Sequence, residues 1–234
     1  MKRFWKKADV RGEPEGYYIL LDGRKLKTPE GKPVVIPRNK HLLAYLVAGE
    51  WESQEKNLKS YSLPLTSLVV RSIDSFSDPS IRQGVIDNLL RYCHTDSVCY
   101  FQDYPDSFVK AQNQYWRTVV QWVETEYNVK VTTTDGIMSA RQSPDTVAQL
   151  RSIIEGFDNL SLAAFERAVL HSKSFFLALA LLSRKIDCDF AARAARLEVW
   201  EQIRLWGEVE DSHDLDEQEM KRQLGAATCA ALLQ

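Results

Sequence analysis

Tyr17-Tyr18-Ile19-Leu20-Leu21-Asp22-Gly23-Arg24-Lys25-Leu26-Lys27-Thr28-Pro29 decides the fold class of this 234-residue chain. Its first five residues are aromatic, β-branched or aliphatic, the composition that suits a pleated, half-buried surface. Asp22-Gly23 then breaks the run, and both central positions of a two-residue hairpin turn need a positive φ, which this pair adopts at low cost. Gly23 is therefore a structural residue of a predicted hairpin whose second strand covers Lys25 to Lys27. Working outward, Phe4 to Val10 reads as a strand before the hairpin. Val34 to Ile36 reads as one after it, beyond the turn signals of Pro29-Glu30-Gly31-Lys32-Pro33. The result is a small antiparallel sheet.

From Pro37 the apolar period changes to that of a helix, with Leu42, Leu43, Leu46, Val47 and Trp51 spaced three and four apart. Trp51 is expected to join this helix to the sheet. Leu63-Pro64 opens a second helix through Leu68, Val69 and Ile73, and Asp78-Pro79 caps a third through Ile81, Val85, Leu89 and Leu90. Ser97 to Phe101 and Val129 to Val131 read as further strands. Beyond Tyr104 the helices follow one another: about Asp106 to Tyr127, then from the Ser143-Pro144 cap to Phe157, and a pair over Ser161–His171 and Lys173–Arg184. A helix capped by Asp187 or Asp189 follows, with Ala192, Ala195, Val199, Ile203 and Trp206 inward and Gly207 closing it in a left-handed conformation. The last runs from Asp214, with Glu217 as capping-box partner and Met220, Leu224, Ala227 and Ala231 facing inward. The fold class is α+β, with an α+β N-terminal domain over residues 1–100 and an all-helical C-terminal domain over 101–234.

The composition is that of a soluble chain with its own core, 44% hydrophobic and 26% charged. Its four cysteines lack CxxC spacing and sit among apolar residues, so free, mostly buried thiols are expected. No apolar run reaches the length of a membrane span; Ser174 to Leu182 is too short. The start at Arg3-Phe4-Trp5 resembles neither a signal nor a transit peptide. The net charge of −2 hides an asymmetry: residues 1–60 hold 13 Lys and Arg against 8 Asp and Glu, leaving 17 against 24 beyond. A net +5 over sixty residues without interleaved aromatics reads as a solvated basic face, Arg24, Lys25 and Lys27 included, rather than a nucleic-acid arm.

Catalytic signatures are absent from the sequence: no nucleophile elbow, phosphate loop, dinucleotide glycine pattern or pair of histidines at metal-ligand spacing occurs. The one unusual stretch is acidic. Glu208, Glu210, Asp211, Asp214, Asp216, Glu217 and Glu219 fall within twelve residues with no Lys or Arg before Lys221. Such a run at a helix start is favoured by the helix dipole, and it also suits steering of a basic or amide-rich partner. A hydrolase using Glu208 to Asp214 is the enzymatic alternative.

Five ordered motifs, Arg3-Phe4-Trp5-Lys6, Leu21-Asp22-Gly23-Arg24 with Leu26 and Thr28-Pro29, Glu50-Trp51, Leu63-Pro64-Leu65-Thr66, and Trp206-Gly207 with Val209-Glu210 and His213-Asp214, resemble the mitochondrial F-type ATP synthase assembly factor 2 family. The resemblance runs end to end. It implies a non-enzymatic chaperone that binds the unassembled alpha subunit, shields it from aggregation and hands it to beta, with no cofactor, metal, nucleic acid or membrane insertion, as a monomer. It also implies a functional glutamate in the C-terminal helical region, which falls on Glu210, with Glu198 second. Glu208, Asp211 and Asp214 complete the expected partner-binding set, and Gly207 is structural beside Trp51 and Gly23. The implied compartment is the mitochondrial matrix after processing, or a bacterial cytoplasm.

Overall fold

A computed structural model describes residues 2–136 and 140–232. The chain forms two compact units, one of Met1–Arg82, Asp158–Ala164 and Ala226–Gln234, the other of Gln83–Phe157 and Phe165–Gly225.

The first unit holds an antiparallel sheet of β1 (Ala8–Glu13), β2 (Gly16–Leu21), β3 (Arg24–Lys25) and β4 (Val35–Ile36). β2 pairs with β1 along its whole length, and with β3 and β4 at its two ends. The β2–β3 turn is the expected one, with φ of 46° at Asp22 and 79° at Gly23. Helix α1 (His41–Glu52) packs across β1 and β2, burying Leu43, Ala44, Val47, Ala48 and Trp51. It starts after Pro37, which lies outside it. Its Leu42, Tyr45 and Leu46 face outward, so two of the leucines expected in the core are surface residues. Helix α2 (Pro64–Asp74) follows, with Pro at its first position, where no N–H is needed.

Two sequence motifs meet at the start of α2. The Glu50 carboxylate accepts from Leu65 N at 2.7 Å, Thr66 N at 2.8 Å and Thr66 Oγ1 at 2.7 Å. Trp51 Nε1 donates to the same hydroxyl at 3.1 Å. A helix whose own N-cap residue, Leu63, offers no side-chain acceptor is thus capped from α1. Asp22 performs a similar tie, accepting from the main-chain N–H groups of Lys6 and Lys7 at 3.0 Å, and those bonds hold its pKa below the ordinary carboxylate value.

In the second unit, α3 (Pro79–Tyr92), begun in the first, leads to α4 (Asp106–Gln112), which continues through a π-turn at Asn113–Arg117 into α5 (Thr118–Tyr127). Then come α6 (Pro144–Glu155), α7 (Asn159–Ser172), which belongs to the first unit through Ala164, α8 (Phe175–Leu182), α9 (Cys188–Ala195), α10 (Leu197–Trp206) and α11 (His213–Leu232), which belongs to the first unit from Ala226. Three caps read from the sequence are made as side-chain bonds: Asp78 to Ser80 N, Ser143 to Thr146 N and Asp187 to Phe190 N. Seven consecutive residues of α8, Phe175 to Leu181, are buried, so its apolar run belongs to a helix covered on all sides. Among the described residues, no helix is long and apolar enough to cross a membrane.

The two later strands are not formed. Ser97–Cys99 is a turn of 3-10 helix, Val129 to Val131 is irregular, and among the described residues the only pairing nearby is a single bridge between Tyr100 and Thr134. Side chains take up the main chain of both segments: Glu124 accepts from Val131 N at 2.9 Å, Thr146 Oγ1 donates to Lys130 O at 2.9 Å and Asp96 accepts from Val98 N at 3.2 Å, and two buried glutamines do the same just beyond them. The Gln142 amide accepts from Thr132 N at 2.8 Å and donates to Thr132 O at 3.0 Å, and Gln112 does the same for Gln102 at 2.8 and 3.1 Å. With backbone groups satisfied by side chains, no ladder is required. Cys93 and Cys99 are buried, and no disulfide joins the four cysteines.

Candidate partner-binding surface

The helix expected to run unbroken to Trp206 is divided at Arg196, whose φ of −113° and ψ of 16° end α9 and begin α10. The guanidinium is buried. It donates to His213 O at 2.7 Å, while its Nε has no partner among the described residues. A cation is thus retained inside the second unit, where it ties the start of α10 to the start of α11. The break also shifts the helical phase, and Trp206 emerges 78% exposed instead of packing inward. Gly207 follows with φ 90° and ψ 163°, an extended mirror conformation open to glycine rather than the left-handed helical one anticipated.

Residues 207–212 form a short turn closed from inside by His213. Its Nδ1 accepts from Val209 N at 3.1 Å, and its own N–H donates to Val209 O at 3.1 Å. Asp211, at φ 58°, supplies the left-handed step that reverses the chain. Glu208, Glu210 and Asp211 lie in this turn and Asp214 in the first turn of α11, all exposed. Glu198 does not join them: it sits in the first turn of α10, about 12 Å along the helix axis from Trp206.

These five carboxylates, with Asp216 beside them, differ from three neighbouring acids in one respect. Glu201 pairs with Arg204 at 2.6 Å, Glu217 with Lys221 at 3.0 Å and Glu219 with Arg222 at 2.7 Å. Glu217 therefore engages a lysine one turn on instead of closing a capping box. Glu198, Glu208, Glu210, Asp211 and Asp214 have no ion-pair partner among the described residues. Their charge stays open to another molecule. Sequence reasoning missed the apolar half of this surface: Leu205, Trp206, Val209 and Leu215 are all more than half exposed and alternate with the acids. Of the expected structural residues, Trp51 is buried beside Trp5, Gly23 sits in its hairpin turn, and Gly207 ends α10. Among the described residues no cluster of acids, histidines and cysteines is arranged to hold a metal ion.

Fold and surface together define an α+β protein that presents a compact patch of unneutralised acids and bare apolar side chains. Comparison with known proteins gives the family. The model of the ATP12 chaperone protein matches residues 2–124. The mitochondrial protein atp12 of Schizosaccharomyces pombe is 31% identical, the match covering 97% of this chain and 80% of that protein. ATP12 of Saccharomyces cerevisiae mitochondria is 32% identical, with 100% and 84% covered. Among solved structures, the Atu1473 protein of Agrobacterium tumefaciens superposes with a TM-score of 0.87 at 29% identity, covering 98% of this chain and 85% of that one. Atp12 of Paracoccus denitrificans does so with 0.82 at 27%, covering 98% and 95%. The chain belongs to the ATP12 chaperone family, and its role is that of an ATP synthase assembly chaperone.

Proposed function

We propose that this chaperone binds the unassembled alpha subunit of F-type ATP synthase as a monomer, keeps it from aggregating, and yields it when beta takes its place. The observation that supports this reading is the turn after α10, where Trp206 and Val209, 78% and 58% exposed, stand among carboxylates that have no ion-pair partner among the described residues. An aromatic anchor ringed by polar groups is the usual anatomy of an interface centre. Clustered charge adds encounter rate and orientation. Glu210 is the acid we assign to partner contact first, with Glu198, Glu208, Asp211 and Asp214 around it. Mitochondrial relatives support a mitochondrial location, and the matrix is the compartment this role requires.

The hydrolase alternative fares worse on the same geometry. General acid chemistry calls for a carboxyl group withdrawn from solvent, and these are immersed in it. The test is a pull-down of the tagged chain from an extract holding unassembled alpha and beta subunits, beside light scattering of refolding alpha. The reading expects alpha alone to be recovered and its aggregation suppressed, with Glu210→Lys and Trp206→Ala each weakening capture while melting like the wild type. Recovery of neither subunit, or of beta equally, overturns it.

A further inference from the structure

The Arg3-Phe4-Trp5-Lys6 motif plays no part in the acidic turn, yet its central residue is built to be presented. The Arg3 guanidinium donates to the main-chain oxygens of Trp5 at 3.0 Å, Glu52 at 2.9 Å, Lys6 at 2.9 Å, and Gln54. Trp5 is buried, its indole N–H on Trp51 O at 3.2 Å and its ring 5.0 Å from that of Trp51. Between these two fixed neighbours Phe4 remains 68% exposed, edge-on to Trp5. Holding a phenyl ring in water on a rigid frame has no folding rationale.

Phe4 forms one wall of a cavity of about 340 Å³ whose floor is Leu21, Leu26 and Trp51. Its rim is cationic. Lys25 is already engaged, paired with Glu13 at 2.6 Å and lying 3.4 Å over the Tyr18 ring. Arg24 and Lys27, both exposed, have no ion-pair partner among the described residues, and the neighbouring acid, Asp22, is taken up by backbone N–H groups. An apolar well bounded by two unneutralised cations complements an apolar side chain flanked by carboxylates. A nucleic-acid strand fits less well, since its phosphates want cations along an open face rather than around an apolar concavity.

We propose that this pocket is a second contact site of the chain, which takes an apolar side chain from an acidic segment of a protein partner. It is a site of the opposite sign to the acidic turn, and it does not depend on which protein supplies the segment. The full chain, labelled at its leucine methyl groups, is titrated with the peptide acetyl-Asp-Glu-Leu-Phe-Glu-Asp-amide, with a version carrying Lys at each acid, and with oligouridylate. The acidic peptide should shift the Leu21 and Leu26 methyl signals and bind at least tenfold more weakly to the double variant Arg24→Glu, Lys27→Glu. Phe4→Ala should weaken it by a similar factor, and rising salt should weaken it in the wild type. Both variants alter exposed side chains, so unchanged melting curves are the control for folding. Shifts of equal size with the lysine peptide, or no shift at Leu21 and Leu26 with the acidic one, overturn the proposal. Tighter binding of oligouridylate at the same signals overturns it in favour of nucleic acid.

Discussion

Replacing Glu50 tests whether two separated motifs work as one structural device. Its carboxylate accepts three hydrogen bonds at 2.7–2.8 Å from the first turn of α2. Bonds to a charged acceptor contribute about 1.5–3 kcal/mol each when well buried, and partial exposure lowers that to about 1 kcal/mol here. Glu50→Ala should therefore cost about 3 kcal/mol. For a chain of this size each kcal/mol moves the melting temperature by roughly 2–4 °C, so the midpoint should fall by about 6–12 °C. Glu50→Gln keeps one acceptor oxygen but turns an N–H₂ toward groups that are themselves donors, and should cost about 2 kcal/mol. The assay is urea denaturation with a double-mutant cycle against Thr66→Val, which removes the hydroxyl that both Glu50 and Trp51 engage. A coupling of about 1 kcal/mol is expected. A loss below about 0.5 kcal/mol for Glu50→Ala, or no coupling, would refute the idea that α1 caps α2.

Gly16→Ala should cost more than Gly23→Ala: a Cβ at Gly16 runs into the Ile36 carbonyl and sits 2.9 Å from Val35 Cγ2, whereas at Gly23 the space is open and only the φ of 79° is strained. About 3 kcal/mol against about 1 kcal/mol by chemical denaturation is the expected contrast. Lys40→Met should lose about 1–2 kcal/mol and speed amide exchange at the end of α11, because the buried ammonium donates to Ala231 O at 2.6 Å. Asp96 is fully buried, and burial pushes its carboxyl up to about 6 despite N–H donors from Val98 and Phe176. The folded state then holds the proton more tightly than the unfolded one, so this group's contribution is intact below pH about 4 and is lost as pH rises through about 6; Asp96→Asn should abolish that slope, worth up to about 3 kcal/mol, in urea titrations between pH 4 and 7.

What the sequence made legible were elements with one local solution. Asp22-Gly23 admits one kind of hairpin turn, and Ser143 and Asp187 each stand where a helix needs an acceptor. What it hid were choices made by distant residues. The β-branched run at Val129 to Val131 has strand propensity, but Glu124 and Thr146, from the helices before and after it, bond the Val131 N–H and the Lys130 carbonyl that a strand would have paired. The stripe from Ala192 to Trp206 keeps helical spacing through Arg196, and nothing local shows that the guanidinium will turn inward to His213 O and break it. The acids of the candidate site were visible as composition. Their isolation was not, because it depends on where Arg204, Lys221 and Arg222 send their charges.

The motifs that carry the family resemblance divide by what they do in the fold. Asp22 binds the N–H groups of Lys6 and Lys7, Thr28 Oγ1 donates to Asp74 at 2.7 Å, and Glu50 with Trp51 seizes Thr66. Each is a polar group held by the backbone or side chain of another segment, so changing it should act first on stability. Two features fall outside that pattern: Phe4, and the Leu205–Leu215 stretch with its open acids. Both expose large apolar side chains on supports that fix them, Arg3 and Trp5 for one, His213 and Arg196 for the other. A folding requirement would have buried these groups or replaced them with polar ones, since bare apolar area weakens solubility and returns nothing to the core. Their retention on rigid supports is the pattern of preorganised contact, in which the ordering cost of binding is met before the partner arrives. Substitutions at Phe4, Trp206 and Val209 should therefore separate from those at Asp22, Thr28 and Glu50, leaving the melting curve in place while partner capture fails.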